Sequence, residues 1–178
     1  MADASRIRRP RAVTRFETGM LAMMPRLRRY ARSLSRNAAD ADDLLQQCLE
    51  NAIARQRTWR GDNLAAWLMT IMTNLSRNAH RQRQRASHIV AIDAGPEPAY
   101  QPDETVPLEA RRLHAAIDGL DPDRRAVLML VAVEGYSYAE VAAMLGIPPG
   151  TVMSRLSRAR RDVAERMRGA KIVDLRRP

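Results

Sequence analysis

Apolar residues recur along this chain at the three- and four-residue intervals of a single helix face. Phe16, Met20, Met23/Met24, Leu27, Tyr30/Ala31 and Leu34 form a first stripe. Pro25 falls inside it and predicts a kink or a restart, because proline lacks a backbone donor and crowds the preceding turn. Leu45, Cys48/Leu49 and Ala52/Ile53 form a second stripe, with Asn37 and Asp40 ahead of it as candidate N-caps. Leu64, Trp67/Leu68, Ile71/Met72, Leu75 and Ala79 form a third, with Asn63 as its N-cap. Cys48 and the methionines of these stripes read as core.

A second group of helices is better punctuated. Residues 108–120 read as one helix. Asp121-Pro122 then supplies an N-cap followed by proline at the first helical position, and this helix runs through Val127, Leu128, Leu130 and Val131 to a stop at Gly135. Ser137-Tyr138-Ala139-Glu140 is a capping box, in which the serine hydroxyl accepts from the Glu140 amide while Glu140 reaches back. Gly146 sits where a left-handed residue ends that helix. Ile147-Pro148-Pro149-Gly150 makes a turn and a fresh start, and Val152, Leu156, Ala159 and Val163 line one face of the last helix.

Residues 89–110 contain no Lys or Arg, but carry Asp93, Glu97, Asp103, Glu104 and Glu109 with Gly95, Pro96, Pro98, Pro102 and Pro107. Proline disfavours helix in the residue before it. Residues 88–105 therefore read as a linker, being longer than the ~12–15 residues usual for a structureless loop; a surface loop within one domain is the other reading. The fold class is all-α: two small helical domains joined by a flexible, acidic, Pro-rich linker. The divisions are a basic tail at 1–14, a unit at 15–87, the linker at 88–105, a unit at 106–168 and a tail at 169–178 too short for a further domain.

Composition narrows the function. At 178 residues the chain is one medium domain or two small ones. Apolar residues at 46% can build cores, and aromatics at 4% favour helix over sheet. No apolar run approaches the ~20 residues of a membrane span, so no membrane insertion is expected. Arg6, Arg8, Arg9 and Arg11 are followed by no apolar segment and do not read as a secretory leader. The single Cys48 excludes an internal disulfide and a cysteine-based metal cluster, and His80, His88 and His114 match no ligand spacing. No nucleophile–base pair or phosphate loop is visible, so neither an enzyme nor a cofactor is expected, and the expected compartment is the cytoplasm. The net charge of +10 points to a polyanion partner, nucleic acid or an anionic membrane surface.

Three constellations give that charge a direction. Residues 137–163 form a short helix, a glycine turn and a second helix, with small Ala142 four residues before Gly146 and Val152 six after it. This is helix-turn-helix spacing, which offers the second helix to a DNA major groove. Ser154, Arg155, Ser157, Arg158 and Arg161 lie opposite Val152 and Leu156, with Arg160 at the edge; arginine can bond guanine bidentately and serine can bond base edges or phosphates. The third N-terminal helix ends in Arg77, His80, Arg81, Arg83 and Arg85, with Asn74 and Asn78 four apart on one face. Such a run suits nucleic acid, and equally suits the negative end of a helix dipole. The second helix carries Asp40, Asp42, Asp43 and Glu50 around Gln46, Gln47 and Asn51. Acids there complement the dipole, and an acidic, amide-rich face on a cationic chain is also a candidate protein-docking face.

In order, these segments are Asp40-Ala-Asp-Asp-Leu-Leu-Gln-Gln, Asn63-Leu-Ala-Ala-Trp-Leu-Met-Thr-Ile-Met-Thr-Asn-Leu, an Arg-rich tail, Val133-Glu-Gly-Tyr-Ser-Tyr-Ala-Glu-Val-Ala and Gly150-Thr-Val-Met-Ser-Arg-Leu-Ser-Arg-Ala-Arg. Over residues 16–167 the chain resembles a bacterial extracytoplasmic-function (ECF) sigma factor, the compact group with only the second and fourth sigma domains. The resemblance implies that Asp42, Asp43, Gln46, Gln47 and Glu50 dock on the clamp helices of core RNA polymerase. It implies that Asn74, Arg77, Asn78, Arg81 and Arg83 meet the minus-10 element, and that Thr151, Ser154, Arg155, Ser157, Arg158, Arg160 and Arg161 meet the minus-35 element. It also implies promoter DNA and an anti-sigma factor as partners, and a monomer when free of them. Trp67 shares its stripe with Leu64 and Ile71 and is expected to pack rather than stack. Met153 stands where many relatives carry Lys or Arg, and no aromatic cluster comes after Trp67 to trap bases. A stand-alone helix-turn-helix regulator is the alternative, but leaves the N-terminal helices without a task. A helical interaction protein, charged only for solubility, is a further one.

Overall fold

The computed structural model describes residues 14–89 and 107–174, all helix and short connections. The N-terminal unit consists of α1 (Arg15–Leu34), α2 (Ala38–Ala54), a single 3₁₀ turn at Gln56–Thr58 and α3 (Leu64–Ile89). The C-terminal unit consists of α4 (Leu108–Asp118), α5 (Pro122–Leu128), a π turn at Met129–Val133, α6 (Tyr138–Leu145) and α7 (Pro149–Asp174).

Each N-terminal helix begins where a side chain takes an orphan amide. Thr14 and Glu17 close a capping box on α1, Asn37 accepts from the Asp40 amide at 2.8 Å on α2, and Asn63 accepts from the Ala66 amide at 3.0 Å on α3. Asn37, not Asp40, is the cap of α2. The helix does not restart at Pro25: α1 runs through it. Pro25 and Leu21, whose carbonyl loses its helical donor, are both exposed, so water can serve that carbonyl. Phe16, Met20, Leu27, Tyr30, Ala31 and Leu34 are buried against Leu44, Leu45, Cys48, Leu68, Met69 and Met72. Tyr30 is enclosed, and its hydroxyl lies 2.7 Å from Thr73 Oγ1. Ile53, expected in the second stripe, is 51% exposed at the end of α2.

In the C-terminal unit the Ser137–Glu140 capping box is present, and Gly146 closes α6 at φ 63°. Alanine there would take a left-handed backbone unfavourable to a side chain with a Cβ. The expected helix from Pro122 to Gly135 is interrupted. After α5 the backbone slips into the π turn, with the Glu134 amide donating to the Met129 carbonyl at 3.0 Å. A π turn holds an extra residue and rotates the succeeding side chains about the axis. Here Val127 to Leu130 are all buried, Val133 is 49% exposed, and Glu134 points inward. Val152, Leu156 and Ala159 seat α7 on this core.

The two units pack on each other, and their buried apolar residues form one cluster. α3 runs to Ile89, and α7 runs through Gly169 to Asp174. Linker residues 90–105, tail residues 1–13 and residues 175–178 lie outside the described residues. None of the described helices is long and apolar enough to cross a membrane.

Candidate nucleic-acid and polymerase interfaces

The acidic face of α2 forms as the stripe requires. Leu44, Leu45 and Cys48 turn inward, which leaves Asp42, Asp43, Gln46, Gln47 and Glu50 exposed. Gln46 Nε2 donates to Glu50 Oε1 at 2.9 Å, one turn away. Asp40 stands apart from the other acids: its Oδ2 is 3.3 Å from Arg83 Nη1 of α3. Arg83 is thus tied to the acidic helix.

On α3, Asn74, Asn78, Arg81 and Arg83 are exposed and Arg77 is not. Arg77 keeps 17% of its side chain exposed, and its Nε lies 2.5 Å from Asp123 Oδ1 of α5, an ion contact without hydrogen-bond alignment. His80 is half-buried nearby. Burial and then the charges of Arg36 and Arg83 hold its imidazole below the usual pKa, against a small opposing pull from Asp121. Trp67 packs: its ring meets Phe16 edge-on at 6.1 Å. Phe16 also meets Trp59 at 5.5 Å, and Trp59 Nε1 donates to the Asp62 carbonyl at 2.7 Å. Trp59 falls outside the three stripes, so periodicity could not place it.

On α7, Ser154, Ser157, Arg158, Arg160 and Arg161 are exposed around the buried Val152, Leu156 and Ala159. The Ser154 hydroxyl donates to the Thr151 carbonyl at 3.1 Å, and Thr151 is half-buried. Met153 is 56% exposed. Arg155 departs from the expected open face. It neighbours Leu156, turns toward the protein, and its Nη2 lies 2.8 Å from Asp123 Oδ2. Glu140, in the capping box before this hairpin, has its carboxyl below the usual range because the Ser137 hydroxyl and amide both donate to it.

The seam between the units is the feature that residue patterns did not show. Arg26 Nε lies 2.6 Å from Glu134 Oε2, and its Nη2 donates to the Glu134 carbonyl at 3.1 Å. Arg29 Nη2 lies 3.4 Å from Glu134 Oε1, and the Arg26 guanidinium covers the Tyr136 ring at 5.4 Å. Arg125 is buried, ion-paired with Asp118 and directed at the Ser35 carbonyl of the other unit. Burial, and then the charge of Arg36, lowers its pKa to about 10. The one sequence signal for this seam was Glu134 itself, a lone acid next to Val133 in an otherwise apolar run.

The comparisons with known proteins agree with this architecture. Residues 110–163 match the family "Sigma-70, region 4", and residues 20–73 match the "Sigma2 domain of PhyR". The chain is 42% identical over 142 residues to the ECF RNA polymerase sigma factor EcfG of Rhodopseudomonas palustris, covering 79% of this chain and 78% of that protein. It is 35% identical over 145 residues to the RNA polymerase sigma factor CarQ of Myxococcus xanthus, covering 80% and 83%. Among solved structures it resembles the sigma factor RpoE of Bartonella quintana, held in complex with the anti-sigma factor NepR. There the TM-score is 0.73 at 34% identity, over 86% of this chain and 96% of that one. Over so much of both chains, such likeness places this protein in a family: it belongs to the ECF RNA polymerase sigma factors.

Proposed function

We propose that this sigma factor brings core RNA polymerase to its promoters in two contacts. Asp42, Asp43, Gln46, Gln47 and Glu50 dock on the polymerase clamp helices. Asn74, Arg77, Asn78, Arg81 and Arg83 engage the minus-10 element, and Thr151, Ser154, Arg155, Ser157, Arg158, Arg160 and Arg161 the minus-35 element. The observation that carries this reading is the segregation of charge. One exposed face of α2 is acidic and amide-rich, while the exposed faces of α3 and α7 present Asn, Ser and Arg. An acidic surface repels phosphates, so α2 suits a protein partner while the other two helices suit DNA.

The protein acts in the cytoplasm, as a monomer when free, with no catalysis and no cofactor of its own. The RpoE relative was solved with an anti-sigma factor, and a relative named CnrH with the cytosolic domain of CnrY, which supports an anti-sigma partner here too. Run-off transcription with purified core polymerase on a genomic library tests the reading: discrete promoter-specific transcripts are expected. Duplex binding without co-purification of core polymerase would instead mark a stand-alone regulator. Promoter binding should also weaken steeply with salt, as counterions compete for the phosphates.

A further inference from the structure

A cavity of about 220 Å³ lies between the end of α1, the second half of α3 and the α4–α5 corner, and Arg36, His80, Arg83 and Arg125 all line it. Among the described residues of that lining, Asp118 is the one acid. Both of its oxygens are engaged, one by Arg125 and the other by His114 Nδ1 at 3.0 Å. Arg83 reaches Asp40 at 3.3 Å and keeps 44% of its side chain exposed. Arg125 is the buried member of the group. Its side chain is 7% exposed, and its Nε is buried with no hydrogen-bond partner.

From this geometry we infer that the cavity is a binding site for a small phosphorylated anion, of about the size and charge of diphosphate.

Arginine is the side chain best matched to phosphate, because its planar fork offers paired donors to paired oxygens. A buried guanidinium N–H without an acceptor costs free energy, and a ligand oxygen beside it recovers that cost. The cations also face one another with little counter-charge. Burial, and then the charge of Arg36, lowers the pKa of Arg125 to about 10. Burial, and then Arg36 and Arg83, holds His80 below its usual value, against a pull from Asp121. An anion among these groups reverses the charge effects, because it favours the protonated form of each. A phosphate of the DNA backbone fits less well. It carries one charge on a broad duplex, and Arg125 has too little exposed surface to meet it. A free diphosphate is small enough to enter and carries more charge. Arg83 also belongs to the face proposed for the minus-10 element, so the site is tested on the free protein without DNA, where its outcome is independent of that reading.

The test titrates diphosphate into the full chain by calorimetry at pH 7.5, with ionic strength held constant by chloride. One saturable site is expected. Proton NMR of the His80 ring should show its pKa moving upward at saturating diphosphate. Arg36→Gln, at an exposed position, should weaken binding about 10-fold, the loss of one charged hydrogen bond. Arg168→Gln removes the same charge from an exposed position on α7 outside the cavity lining, and should leave binding unchanged. Absence of a saturable site, or equal weakening by the two variants, would reduce the attraction to net charge and overturn the proposal. So would a His80 pKa that diphosphate leaves in place. A short duplex that shifts His80 where diphosphate does not would overturn it too, and give the cavity to DNA phosphates.

Discussion

Arg26 Nε stands 2.6 Å from Glu134 Oε2 across 108 residues of sequence, and the two partners differ sharply in exposure. The glutamate side chain has no exposed surface, whereas Arg26 keeps 33% of its own and Arg29 61%. The hydrogen bond that Arg26 donates to the Glu134 carboxylate holds its guanidinium above the usual pKa.

That asymmetry sets an order of costs. Arg26→Ala leaves a buried carboxylate with only the more distant Arg29, and should cost about 3 kcal/mol. Glu134→Ala leaves two guanidiniums that can turn to water, and should cost about 1 kcal/mol. Urea unfolding of both variants measures the difference. Equal losses would mean that Glu134 reaches water in the parent, by the units parting.

Charge reversal of Asp42 and Asp43 to Lys should abolish transcription from the protein's promoters with little change in stability, since both side chains are exposed. Titration with core polymerase checks it. Unchanged affinity would show that α2 is not the docking face.

Asn74→Ala should slow open-complex formation more than it weakens duplex binding. Asn74 is exposed on α3, and its amide can donate and accept at a base edge that is available only after strand separation. Comparison on a pre-melted bubble and on closed duplex decides it; equal behaviour of parent and variant on both removes Asn74 from strand capture.

Cys48 should resist thiol reagents at pH 8 in the folded protein. Burial raises its pKa to about 12, and its thiol donates to the Leu68 carbonyl at 3.4 Å. Reaction needs the thiolate and an opening of the α2–α3 packing, so the native rate should be slow and the rate in urea fast. Rapid native labelling would contradict the enclosed position.

Stability should fall on acidification below about pH 6.5, in part through His80. The folded His80 has the lower pKa, so the unfolded chain takes up the proton first as pH drops through its value near 6.5. Stability is then lost progressively toward the folded pKa, and is complete above pH 6.5. Thermal midpoints at pH 7.5 and 5.5 should lie closer together in His80→Gln than in the parent. Parallel shifts would remove His80 from the effect.

Features carried by a few adjacent residues are legible in the sequence. The Ser137–Glu140 box, Asn37, Asn63 and the left-handed Gly146 each act within one turn, and the three N-terminal stripes repeat a local period. The helix-turn-helix and the acidic face of α2 come from those signals, because helix phase alone decides which residues stay outside.

Other features depended on what a helix meets. α1 runs through Pro25 where Leu21 and Pro25 are both exposed, and the π turn after α5 begins within a run of six buried residues, Arg125 to Leu130. Arg77 and Asn78 are neighbours on one cationic helix end, yet one is tied down and the other open. Only the approach of Asp123 from a helix more than forty residues away distinguishes them. Sequence alone determined most of the helices, the caps at Asn37, Asn63 and Ser137, and which side of each helix turns to the core. Tertiary structure decided which arginines are held, because an ion pair between distant segments depends on a few ångströms of separation and on lost solvent, neither of which a local pattern encodes.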